Sequence, residues 1–178
     1  MNKEEIISQI NEHYRDFVIF INELSEEEFN LNLPEKWSAK QQLQHVILCV
    51  EPLVRVYKMP KHLIEQTFGN TNKSNNSYEE ILEKYLSKLK NGGKAPSLYV
   101  PKATNIFEKE SLVNTLQSLI KGLNLAVSSF SEMELEALCI PHPLLGTITL
   151  KEMLFNAIYH VQHHHLQAKN NLNSNNEK

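Results

Sequence analysis

The chain has 178 residues, 41 % of them hydrophobic and 22 % charged, with a formal net charge of -3. That is the profile of a globular protein with enough chain for one sizeable core, and the weak negative balance excludes the broad basic surface that nucleic acid or an anionic membrane would need. Two cysteines, Cys49 and Cys139, are too few for a disulfide scaffold, and neither belongs to a Cys-x-x-Cys pair. No apolar run approaches the ~20 residues of a membrane span. A reduced, cytoplasmic protein without nucleic-acid or membrane partners is the expectation.

The spacing predicts a first helix from about Lys3 to Leu24, with Ile6, Ile10, Phe17, Phe20 and Ile21 on one face. Ser25 and Glu28 form a Ser-x-x-Glu capping box that starts a short turn, and Leu31 to Pro34 breaks it. Ser38 and Gln41 form a second box and open the second long helix. From Leu43 to Tyr57 this helix is apolar nearly all round, which marks it as central, and Pro52 should bend it. The pattern dissolves between Met59 and Asn76, where Asn70 to Ser77 reads as a polar loop. Ser77 and Glu80 cap a further helix that Gly92 and Gly93 end, and a proline-containing stretch spans Ala95 to Ala103. A long helix follows from about Glu108 to Phe130, carried by Leu112, Leu116, Leu119, Leu123 and Val127.

The last helix opens at Thr149, capped with Glu152, and should reach about Asn170 on a stripe of Leu150, Met153, Leu154, Ala157, Ile158 and Val161. Residues 171–178 are polar enough to be read as a disordered tail behind a single domain, 1–170. No convincing strand pair is legible. Four long helices with one or two short ones imply an all-α four-helix bundle. The link of about fifty residues between the second and third long helices allows a crossover, so that those two run the same way.

Eight histidines are present, and their placement matters more than their number. His160 and His164 are four apart on the last helix and share a face, where two imidazoles can hold one metal ion. At about 100° per residue, His164 falls inside the apolar stripe and His160 at its edge. On the same wheel His163 lies outside the stripe and His165 leans off the other side, as outer-shell or solvent-facing residues. The third candidate ligand is His45, in the middle of the apolar second helix, where an imidazole needs a polar partner. It sits seven residues after its cap, and His164 about six before the expected helix end, so antiparallel packing would bring them level. Against this stand plainer readings: a hydrogen-bonded core histidine for His45 and a solvated face for the His-rich run. The three observations together favour one divalent ion on His45, His160 and His164.

Trp37 to His45, reading Trp-Ser-Ala-Lys-Gln-Gln-Leu-Gln-His, resembles the second-helix signature of the DinB/YfiT-like metalloenzymes. His142-Pro-Leu-Leu-Gly146, then the capped helix with His160, His163, His164 and Gln167, resembles their C-terminal signature. The resemblance implies an up-down-down-up bundle, zinc or nickel on His45, His160 and His164, and often a homodimer. It also implies a small-molecule substrate: relatives include thiol S-transferases that use a low-molecular-weight thiol such as bacillithiol, mycothiol-dependent isomerases, and proteins regarded as metal-dependent hydrolases. A non-catalytic metal-binding stress or structural protein is the competing class.

One departure from the pattern is that the turn after His45 carries Leu48 and Cys49, and the first acid is Glu51. Relatives often place an acidic residue there. Cys49 lies on the face of His45 and could approach the metal, although a small buried hydrophobe is the commoner role for such a cysteine. Glu51, Gln167 and His163 are candidates for hydrogen bonds to the ligand imidazoles. His142 is read as a turn element, and His13 and His62 have no identifiable partner.

Overall fold

A computed structural model of the protein describes residues 1–31, 34–102 and 108–176. The described chain is mostly helical: α1 (Lys3–Glu23), α2 (Glu26–Phe29), α3 (Ala39–Tyr57), α4 (Lys61–Phe68), α5 (Tyr78–Lys90), a 3-10 turn (Ser97–Tyr99), α6 (Lys109–Ser128), α7 (Glu132–Ala137) and α8 (Leu150–Asn176). The capping boxes at Ser25, Ser38 and Ser77 are all formed, each with reciprocal side-chain and backbone bonds. Thr149 and Glu152 make the same exchange at the start of α8. Two further boxes, Asn2 with Glu5 and Ser131 with Glu134, open α1 and α7. α3 continues through Pro52 to Tyr57.

The long helices pack in a ring in which α1 and α3 each touch both α6 and α8. Their shared interior is filled by Ile10, Phe17, Leu43, Val50, Leu116, Leu123, Leu154 and Val161, all buried. Burying side chains of this size stabilises by roughly 1.5–3 kcal/mol each before the entropy cost of ordering them. Two contacts fix how α3 meets α8. The Tyr57 hydroxyl at the end of α3 donates to the Leu150 carbonyl at the start of α8. At the other end, Asn171 Nδ2 donates to the Trp37 carbonyl at 3.0 Å. The two helices therefore run antiparallel. Among the described residues no helix is long and apolar enough to cross a membrane.

Three expectations are corrected. A hairpin exists where no strand pair was legible: β1 (Cys139–His142) pairs antiparallel with β2 (Gly146–Thr149). Its strands are four residues long and bury adjacent residues at one end instead of alternating, so no period-2 pattern appears in the sequence. Gly146 supplies the positive φ (75°) where β2 begins. The chain after Met59 is not patternless, since α4 runs there and packs on β1 with Ile64 buried. Last, α8 does not end near Asn170 but runs to Asn176. The side chain of Asn171 is tied to Trp37, and Leu172 packs against the core, so this part of the expected tail is helical and docked. Parts of the expected break at Leu31–Pro34, the end of the stretch at Ala103, and residues 177–178 lie outside the described residues.

Candidate metal centre

His45 projects from the first half of α3, and His160 and His164 from successive turns of α8. All three are buried, at 3 %, 9 % and 6 % exposure. Their Nε2 atoms meet: His45 Nε2 lies 3.2 Å from His160 Nε2, which lies 3.1 Å from His164 Nε2. Among the described residues these three form the group of donor atoms lying within 4.8 Å of one another. The antiparallel packing of α3 on α8 brings this about, as the sequence levels predicted.

On His45 and His164 the opposite ring nitrogen is occupied. His45 Nδ1 donates to the Tyr99 carbonyl at 2.7 Å, a partner delivered by the 3-10 turn. His164 Nδ1 donates to Gln42 Oε1. Each bond puts the ring proton on Nδ1 and leaves a lone pair on the inward Nε2, the form a metal ligand requires. Trp37 covers the cluster, with its rings 4.9 Å from His45 and 6.2 Å from His164. Burial, and secondarily the neighbouring histidines, hold the proton affinities of His160 and His164 well below the ordinary value. Burial lowers His45 as well, partly offset by its bond to Tyr99. Two of the three buried imidazoles are thus held with a lone pair on the inward Nε2, and the inward nitrogens of all three converge on one point, the arrangement that would hold a cation.

The spacing fits such a cation. Nitrogens about 2.0–2.1 Å from zinc sit about 3.3–3.4 Å apart at a tetrahedral angle and about 2.9 Å apart at a right angle. The observed 3.1 and 3.2 Å fall between these values. A thiolate at about 2.3 Å would sit about 3.6 Å from each nitrogen. Cys49 Sγ meets that spacing to His45 Nε2, at 3.6 Å, but does not belong to the mutual set of three. Burial pushes its thiol up to about 12.

The cluster opens on a cavity of about 380 Å³. Its walls are mainly apolar, from Leu53, Val56, Phe68, Tyr85, Pro96 and Met153, and among the described residues no Asp or Glu lines it. His163, Asn156, His142 and Lys94 supply polar groups. His142 Nδ1 accepts the backbone N–H of Leu144 and Leu145, both at 3.1 Å, which makes it the turn element expected. Its proton then sits on Nε2, which donates to Asn156 Oδ1 at 3.1 Å. Asn156 Nδ2 is left buried without a hydrogen-bond partner.

The remaining candidates divide. His163 is half-buried and lines the cavity, closer to the site than its place on the helical wheel suggested. Gln167 reaches the site indirectly, accepting from Gln42 Nε2 at 3.3 Å. Glu51 is exposed and outside the cavity lining. His165 packs on Phe17 and Phe20 of α1 instead of facing solvent. His62 is exposed, and His13 pairs with Gln9 at 3.2 Å. Gln42, Tyr99 and Asn156 were not foreseen. Gln42 stands among Lys40, Gln41 and Gln44 in the polar opening of its helix, so the sequence does not single it out. Tyr99 contributes a backbone carbonyl across a long link, which no local pattern records.

A family model described as the DinB superfamily matches residues 9–168, a span containing every group described above. Comparison with curated proteins and with solved structures gives no match.

Proposed function

The chain belongs to the DinB superfamily, and on that premise we propose that it is a metal-dependent enzyme acting on a small molecule, with one zinc or nickel ion on His45, His160 and His164. The observation that carries this reading is three inward ring nitrogens at the end of a mainly apolar cavity, with no fourth protein donor in the mutual set among the described residues. Three ligands plus an accessible position is the pattern of catalytic, as opposed to structural, metal sites. A structural role would need a fourth ligand; Cys49 is the nearest side chain for it, and its place outside the set speaks against that alternative.

The reading includes the fold. The four long helices α1, α3, α6 and α8 make an up-down-down-up bundle with the crossover between α3 and α6. Contacts at the helix ends support it: Lys109 Nζ at the start of α6 donates to the Leu24 carbonyl at the end of α1, while Lys3 and Lys151, at the starts of α1 and α8, both bond to Glu132. It also assigns a cytoplasmic location and a homodimeric state.

For the reaction we favour transfer of a low-molecular-weight thiol to an electrophile over hydrolysis. A bound divalent ion supplies charge that lowers the proton affinity of a coordinated thiol or water. Hydrolysis gains most from a carboxylate that carries protons between water and leaving group, and the cavity lining contains none. The chain's own part is positional. Tyr99 and Gln42 hold two of the ligand rings, Trp37 packs against them, and the mainly apolar walls suit a largely apolar electrophile. Asn156 Nδ2 is available to an acceptor atom of a bound ligand.

The test is turnover by the metal-loaded protein with a panel of small thiols and a chromogenic electrophile. Conjugation should occur, be abolished by chelation, and be lost in His45→Ala with helical content retained. Ester hydrolysis without thiol conjugation would overturn the choice of reaction. Equal metal content in the wild type and the His160→Ala, His164→Ala double variant would overturn the site.

A further inference from the structure

One chain of hydrogen bonds links the candidate metal centre to the cavity wall. It takes its starting atom from the metal reading. With His164 Nε2 turned inward, Nδ1 carries the proton and donates to Gln42 Oε1. Gln42 is fully buried, so its amide is held with the oxygen toward His164 and the nitrogen away. That nitrogen donates to Gln167 Oε1 at 3.3 Å. Gln167 is thereby oriented in turn, and its Nε2 reaches His163 Nε2 at 3.1 Å. A ring nitrogen accepts only when it bears no proton, so His163 is left with its proton on Nδ1. Every link has one donor and one acceptor, and reversing any amide would set like groups against each other.

We infer that Gln42 is a positioning residue that orients His164 for the metal and, through Gln167, fixes the tautomer of His163 in the cavity wall. Two amides carry this setting from α8 to α3 and back to a residue adjacent in sequence to the one where it began. The site and the cavity are then not independent. The state of the ligand ring selects which nitrogen of His163 is the donor for whatever the cavity holds.

The experiment uses the full chain, labelled with 15N-histidine, zinc-free and zinc-loaded near neutral pH. Ring nitrogen shifts report the tautomer of each histidine, and competition with a chromogenic chelator reports zinc affinity. In the wild type His163 should carry its proton on Nδ1. Gln42→Glu keeps an acceptor for His164 but cannot donate to Gln167. Gln167 should then turn its amide, and His163 should switch to the Nε2–H form. Gln42→Leu, which removes the acceptor, should lower zinc affinity by about 10–100-fold. Gln167→Ala, at an exposed position, should free His163 and leave zinc affinity unchanged. The inference is overturned if wild-type His163 is found in the Nε2–H form, or if its tautomer is the same in Gln42→Glu as in the wild type. Should Gln42→Leu not fold, the isosteric glutamate and the exposed alanine variant still decide. A wild type that binds no zinc would defeat the metal reading, while the tautomers of the zinc-free protein would still test the relay.

Discussion

At the scale of single residues, the consequence of burying three imidazoles together is a dependence on pH. His160 and His164 hold protons well less tightly than an ordinary histidine at 6.5, through burial first and mutual repulsion second. His142 is lowered as well, by burial against the bond to Asn156. The unfolded chain therefore takes up protons below 6.5 that the folded chain refuses. The stability contributed by these neutral rings is complete above 6.5 and is lost as pH falls below it through the folded-state values. Thermal melts of the metal-free protein between pH 8 and 5 should show the midpoint falling across that window. Loaded protein should fall in the same direction, because protons and metal compete for the same lone pairs. A melting temperature flat from pH 8 to 5 would mean that the rings are not buried neutral.

At the scale of elements, α8 carries the greatest burden, since it supplies two of the three candidate ligands, the cavity residues Asn156 and His163, and contacts to α1, α3, α5 and α7. Its start is held by Thr149, whose hydroxyl accepts the Glu152 N–H at 3.2 Å and also bonds to Asn75 of the Asn-rich loop. Thr149→Ala should cost about 1–2 kcal/mol, the upper part of the capping range, because two bonds go at a buried position. Urea titration reads this as a lowered midpoint at unchanged slope, and an unchanged midpoint would show that α8 does not need its cap. That cap was legible in the sequence, as were those at Ser25, Ser38 and Ser77, because a capping box is a local signature. Helical phase likewise brought His160 and His164 to the inner face. What was not legible was set by side-chain bonds that leave no periodic pattern, whether distant or local. The extension of α8 to Asn176 depends on Trp37 accepting from Asn171, and the hairpin depends on the His142 ring accepting two backbone N–H groups. The wheel misjudged His163 because it knows only the helix's own stripe, and not that a cavity opens beside it.

At the scale of the whole molecule, a ligand that binds only the folded state stabilises it by mass action, about 2.7 kcal/mol at a concentration one hundred times its dissociation constant. Zinc at that excess should raise the melting temperature of the wild type, and His45→Ala should remove the rise, which differential scanning calorimetry can measure. A rise that survives in the variant would mean the ion acts elsewhere. The chain order of the ligands carries a further consequence. His45 and His160 are 115 residues apart, with most of the domain between them. During synthesis the first ligand emerges long before the other two, and at ordinary ribosomal speeds many seconds pass before all three coexist. The ion cannot guide the early stages of folding, and no nascent chain that stops short of α8 can hold it in this way. If the proposed site holds an ion, its binding there can come only after α8 has been made, late in the maturation of the chain.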